Sequence, residues 1–100
     1  MTAAETDYRK TIAIDPKYAP ALYNLGIILA DAGNKTEAID LYRRATVADP
    51  NFARAFLNLG LLLFDNGDQG ASAIALTKAV RLDPTLLARI PAAARPGQSG

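Results

Sequence analysis

Two asparagines, Asn24 and Asn58, stand 34 residues apart. A side-chain amide both donates to and accepts from a peptide backbone, so the pair could hold an extended chain without reading its sequence. Asp31 and Asp65 recur at the same interval. Two carboxylates can share acid–base work when they flank one scissile bond, but nothing in the surrounding sequence implies an enclosed pocket. Ser72 has no histidine to activate it, because the chain contains neither His nor Cys. That absence removes imidazole acid–base catalysis, thiolate chemistry, disulfides and Cys/His zinc sites. Gly67-Asp68-Gln69-Gly70 reads as a turn, since a phosphate loop would be followed by a lysine. These residues therefore predict no enzyme, no metal and no cofactor, and leave binding as the chemistry to explain.

The elements that would position such residues announce themselves by repetition. Asp15-Pro16, Asp49-Pro50 and Asp83-Pro84 form one series, and Leu25-Gly26 with Leu59-Gly60 another. Leu29/Leu63, Gly33/Gly67, Ala45/Ala79 and Tyr8/Tyr42 keep the same interval. A period of this length means a repeat architecture in which no unit buries its apolar face alone. Half of the 100 residues are apolar, a globular share. The net charge is +1, and only Arg89 and Arg95 follow Pro84, so residues 1–84 hold 9 bases against 10 acids. A nucleic-acid binder would show a basic stripe instead. The N-terminal MTAAETDYRK is polar, and the longest apolar runs, 26–30 and 59–64, are far short of a membrane span. We expect a cytoplasmic protein.

Apolar spacing predicts two helices per unit. Leu22, Leu25 and Leu29 fall on one helical stripe, and Phe56, Leu59 and Leu63 on its copy. Gly33 and Gly67 end these helices as left-handed residues. Asn34 and Asp68 are expected to cap the second helices, which carry Ala38, Ile39, Tyr42 and Ala45, then Ala73, Leu76, Ala79 and Val80, with Ile74 more exposed. Each Asp-Pro pair reads as an N-cap followed by a proline at the first helical position. Pro20 conflicts with that in the first copy, so that helix is placed near Ala19 with Asp15–Tyr18 as a turn. Thr2 and Glu5 make a capping box for a helix that matches only the second half of a unit. The expected organisation is an orphan second helix at 2–16, full units at 17–50 and 51–84, a short capping helix at 85–90 cut by Pro91, and a flexible tail at 91–100.

On these residues the chain resembles the tetratricopeptide repeats. The first unit reads Leu22-x2-Leu25-Gly26-x2-Leu29, Ala38-x3-Tyr42, Pro50; the second reads Phe56-x2-Leu59-Gly60-x2-Leu63, Ser72-x3-Leu76, Pro84. Leu stands for the usual Tyr in both first helices, Leu22 for an aromatic, and Ser72 for Ala. The resemblance implies an all-α fold, a right-handed superhelical solenoid of antiparallel helix pairs. Gly26 and Gly60 would admit a close neighbouring helix.

In that family the first helix of each repeat lines the concave wall. Carried over, the wall holds Tyr23, Asn24, Ile27 and Asp31 in one unit and Arg54, Leu57, Asn58, Leu61, Phe64 and Asp65 in the next. The implied function is a non-catalytic module that binds a peptide or an apolar helix face, with a protein partner and no nucleic acid or membrane. Family members that clamp a terminal carboxylate place Lys and Arg where this chain has Tyr23, Ile27, Leu57 and Leu61, so a clamp is not expected. Asp31 and Asp65 would select a basic residue or simply solvate the helix ends. Three plain alternatives stay open at this stage. Each Asn could bond within its own repeat, Leu86, Leu87 and Ile90 could cover the apolar wall, or a longer solenoid could bury it. A structural alternative is self-assembly through the open ends, where Tyr8 and Ile12 are expected to be exposed.

Overall fold

The computed structural model describes residues 2–96. Five helices follow in order: α1 Ala3–Ile14, α2 Ala19–Asp31, α3 Lys35–Ala48, α4 Ala53–Asp65 and α5 Gln69–Leu82. Short 3-10 segments follow at Pro84–Arg89 and Ala92–Ala94, and no strand occurs among the described residues. The helices gather into two compact units, the first ending at Pro50 and the second starting at Asn51.

All three Asp-Pro pairs end a helix, and the first two do not start the next one. Asp15, Asp49 and Asp83 are the C-caps of α1, α3 and α5, each in an extended conformation. A following proline excludes the α region at the residue before it, which stops the helix there. The Asp15 carboxylate then accepts the Lys17 N–H at 3.2 Å, and the Tyr18 N–H reaches the Asp15 carbonyl at 3.1 Å. This turn delays α2 to Ala19, with Pro20 tolerated in the first turn. The second unit does the same, starting α4 at Ala53 rather than at Pro50. Asp83 also caps the next segment, accepting the Thr85 N–H at 3.1 Å, with Pro84 in its first turn as expected.

Other local expectations hold in part. Gly33 and Gly67 both sit at φ +87°. Behind them Asn34 N–H bonds to Leu29 O and Gly33 N–H to Ala30 O, with Asp68 to Leu63 and Gly67 to Phe64 as the copy. These paired bonds close each helix end around a left-handed residue that costs glycine little. Thr2 accepts the Glu5 N–H at 3.1 Å and Asp68 the Ala71 N–H at 3.3 Å, as caps should. Asn34 does not cap α3. Its amide donates to the Glu37 carboxylate at 3.3 Å instead.

In the first unit α2 and α3 pack through their small residues. Leu22, Leu25, Ala38, Tyr42 and Ala45 are buried, joined by Leu41, which the stripe did not predict. A Cβ on Gly26 would stand 2.6 Å from the Tyr42 ring, so glycine is what admits that ring. Tyr23 leans on it too, with ring centroids 6.1 Å apart and tilted by 47°. α1 buries no residue fully. Tyr8 and Ile12, expected exposed, are half-buried, and α1 packs on α2. Arg9 ties α1 to α3, bonding Glu5 at 3.2 Å and Glu37 at 3.1 Å. The Glu37 hydrogen bond, more than any other contact, holds this guanidinium more firmly protonated than usual.

The second unit is built on the same plan with a different closure. A Cβ on Gly60 would meet Leu76 Cδ2 at 2.5 Å and Cγ at 2.6 Å. Ser72 is fully buried, and its hydroxyl donates to the Gly60 carbonyl at 2.7 Å. The departure from the small apolar residue expected there is thus satisfied across the helix pair. Ala75 is buried and Ala73 exposed, the reverse of the predicted stripe.

The C-terminal segment departs most from expectation. Pro84–Arg89 is a 3-10 turn rather than a short α-helix. It places Leu86 and Ile90 in a core with Leu57, Leu76, Ala79 and Ala94, while Leu87 is 41% exposed. Residues 91–96 are not a loose tail: Ala94 is buried, and the Arg95 side chain donates to the Ile90 carbonyl at 2.9 Å. The rest of the expected tail, 97–100, lies outside the described residues.

Candidate interaction surface

The first helices position the residues singled out by the repeat. Along an α-helix each residue turns by about 100°, so Asn24 lies about 200° from Gly26, and Asn58 as far from Gly60. The glycines are pressed against the second helices. The asparagines therefore lie on the side of α2 and α4 turned away from the helix pair. Ile27 and Asp31 share that side in the first unit, and Arg54, Leu61 and Asp65 in the second. Asn24, Ile27, Asn58 and Leu61 are half-buried, and Asp31, Arg54 and Asp65 are exposed. Each unit thus presents one amide, one aliphatic residue and one terminal aspartate at matching helical positions.

The remaining expected residues behave differently. Leu57, placed on the accessible wall by the repeat pattern, is only 3% exposed. Leu86 and Ile90 close over it, so it is a core residue and is withdrawn from the candidate surface. Phe64 is half-buried and packs on the same cluster, as the half-buried Leu61 also does from one side. Tyr23, at the position equivalent to Leu57, rests against Tyr42 and is half-buried.

A feature that motif reading missed lies on the second helices. Pro16, Lys17, Arg43, Arg44, Val47 and Ala48 line a cleft of about 580 Å³ in the first unit. The signal in the sequence was a cation series, Lys10, Arg44 and Lys78, at the same period as the asparagines.

Among the described residues no group of three or more His, Cys, Asp or Glu could hold a metal ion, and no helix is long and apolar enough to cross a membrane.

Family models for the tetratricopeptide repeat match residues 7–40 and 53–86, and a TPR repeat model matches 28–67. The chain belongs to the tetratricopeptide repeat family. No curated protein sequence matches it. Solved structures of MamA are similar: one is 26% identical with a TM-score of 0.75, covering 86% of this chain and 50% of the MamA chain. A second is 25% identical with a TM-score of 0.71, covering 88% and 48%. The chain spans about half the length of the MamA structures it matches. Tetratricopeptide repeats are interaction scaffolds, and the repeats of this chain make it a protein-interaction module at that level.

Proposed function

We propose that this tetratricopeptide module is non-catalytic and binds a peptide, or the apolar face of a helix, along the first-helix faces of its units. These faces form the concave side of the family's solenoid. The observation that carries the reading is the matched trio on each face: Asn24, Ile27 and Asp31 in one unit, Asn58, Leu61 and Asp65 in the other, all half-buried or exposed. The amides would bond the ligand backbone, the aliphatic residues would take an apolar side chain, and the aspartates would favour a basic residue nearby. Arg54 is the one cation on these faces, which argues against a terminal carboxylate as the main anchor.

Selection of displayed random peptides on the whole chain, followed by fluorescence anisotropy with the selected peptides, tests this. Asn24→Ala with Asn58→Ala should weaken binding at least about tenfold, with the melting temperature nearly unchanged. Peptides that bind the double variant as tightly as the native chain would refute the reading. One observation favours self-assembly as a second reading: α1 contributes no fully buried residue, so one of its sides is open to a further helix. Sedimentation over a concentration range decides it. A rising mass that Tyr8→Asp abolishes supports assembly, and a constant monomer mass removes it.

A further inference from the structure

The second helices carry a surface of different chemistry. α3 spends Leu41, Tyr42, Ala45 and Thr46 on burial, and its opposite side is left with Arg43, Arg44 and Val47. Val47 is 81% exposed, an aliphatic side chain standing in water. It lines the cleft of about 580 Å³, a size that accommodates a small ligand or inserted side chains. Lys17 comes in from the turn before α2, so three cations and no acid line the cleft. Of the three, Arg44 is paired with Asp40, whose carboxylate stands 4.0 Å away, at the limit of ion pairing. Lys17 and Arg43 have no carboxylate partner among the described residues.

The second unit repeats the pattern independently. Ile74 is 75% exposed and lines a cleft of about 370 Å³ with Thr77, Lys78 and Arg81. The helix that carries them, Gln69–Leu82, contains no acidic residue at all.

We infer that the outer face of α3, together with the Pro16–Lys17 turn, docks an acidic segment of a partner protein. Carboxylates of the segment sit on Lys17, Arg43 and Arg44, and an apolar side chain between them covers Val47. Charge complementarity selects the occupant: the lining offers two guanidinium forks and an ammonium around an apolar floor. A concave lining receives a protruding side chain better than it receives a flat bilayer. This surface is separate from the first-helix faces, so one module could hold two partners.

The test uses a display library of short peptides that alternate acidic and apolar residues, with a basic library as its counterpart, selected on the whole chain. Selected acidic peptides should bind Arg43→Glu/Arg44→Glu at least about tenfold more weakly, and Val47→Ser measurably more weakly. Binding should weaken with salt as the screening length falls from about 10 Å at 0.1 M to about 3 Å at 1 M. Asn24→Ala/Asn58→Ala should leave it unchanged, which separates this surface from the one proposed above. All the substituted α3 positions are exposed, and circular dichroism checks their folding. If the double reversal unfolds the chain, Lys17→Glu with Val47→Ser gives the same reading. The inference is overturned by any of three results: no acidic peptide selected, selected peptides insensitive to the reversal, or binding to phosphatidylserine vesicles that the reversal abolishes while peptides fail to bind.

Discussion

Gly60→Ala and Gly70→Ala add the same methyl group to two helical positions, yet the structure predicts opposite effects. At Gly60 the new Cβ would stand 2.5 Å from Leu76 Cδ2, 2.6 Å from Cγ and 3.2 Å from the Leu76 backbone nitrogen. Cδ2 is a terminal methyl that could rotate away, but Cγ is the branch point of a fully buried side chain and the third contact is backbone. Relief therefore requires the two helices to move apart. Overpacking of this kind costs roughly 3 kcal/mol at the upper end of its usual range. Alanine returns roughly 1 kcal/mol through helix propensity, leaving a net loss of about 2 kcal/mol. In a chain of this size that lowers the melting temperature by about 8–16 °C. At Gly70, in the first turn of α5, a Cβ meets nothing within 4 Å and φ is not positive. There only the entropy and propensity gain remains, about 0.5 kcal/mol of stabilisation and a rise of about 2–4 °C. Thermal and urea melts followed by far-ultraviolet circular dichroism measure both. If Gly60→Ala melts with the native chain, or if both variants shift in the same direction, close helix contact is not what the repeat glycine provides.

Two further substitutions probe the second unit. Ile90→Ala should cost about 2 kcal/mol, because the side chain is 1% exposed and its removal opens the core around Leu57 and Leu76, whereas Leu87→Ala should cost under about 1 kcal/mol. Equal effects in urea melts would show that the C-terminal segment does not seal that core. Ser72→Ala should change stability by less than about 1 kcal/mol, since the lost hydrogen bond to Gly60 is offset by better helix propensity. A loss well beyond that would mean the hydroxyl organises the helix pair.

Much of the fold was legible because its determinants are local or periodic. The left-handed glycines, the helix pairs, the late start of α2 at Ala19 and the close approaches at Gly26 and Gly60 all follow from residue type and spacing. The Asp-Pro pairs misled because the same dipeptide favours a helix start and forbids helix continuation. The chain used the second property at Asp15 and Asp49. Asn34 misled for a related reason. Its amide donates to the Glu37 carboxylate three residues on, and its side-chain oxygen caps nothing.

The candidate surface was legible only as a set of helical positions. Sequence by itself determined the 34-residue period, the two helices of each unit and the register that sets Asn24 and Asn58 at equivalent places. Backbone sterics and helical geometry act within a few residues, so these features needed nothing distant. The tertiary structure alone decided that Leu57 is core, that residues 91–96 pack rather than trail, and that the turn at Lys17 meets Arg43 and Arg44 in one cleft. Leu57 owes its burial to Leu86 and Ile90, and the cleft owes its charge to two separated segments. Burial and charge clustering are properties of what comes together in space, and a local pattern cannot register a neighbour that arrives from elsewhere in the chain.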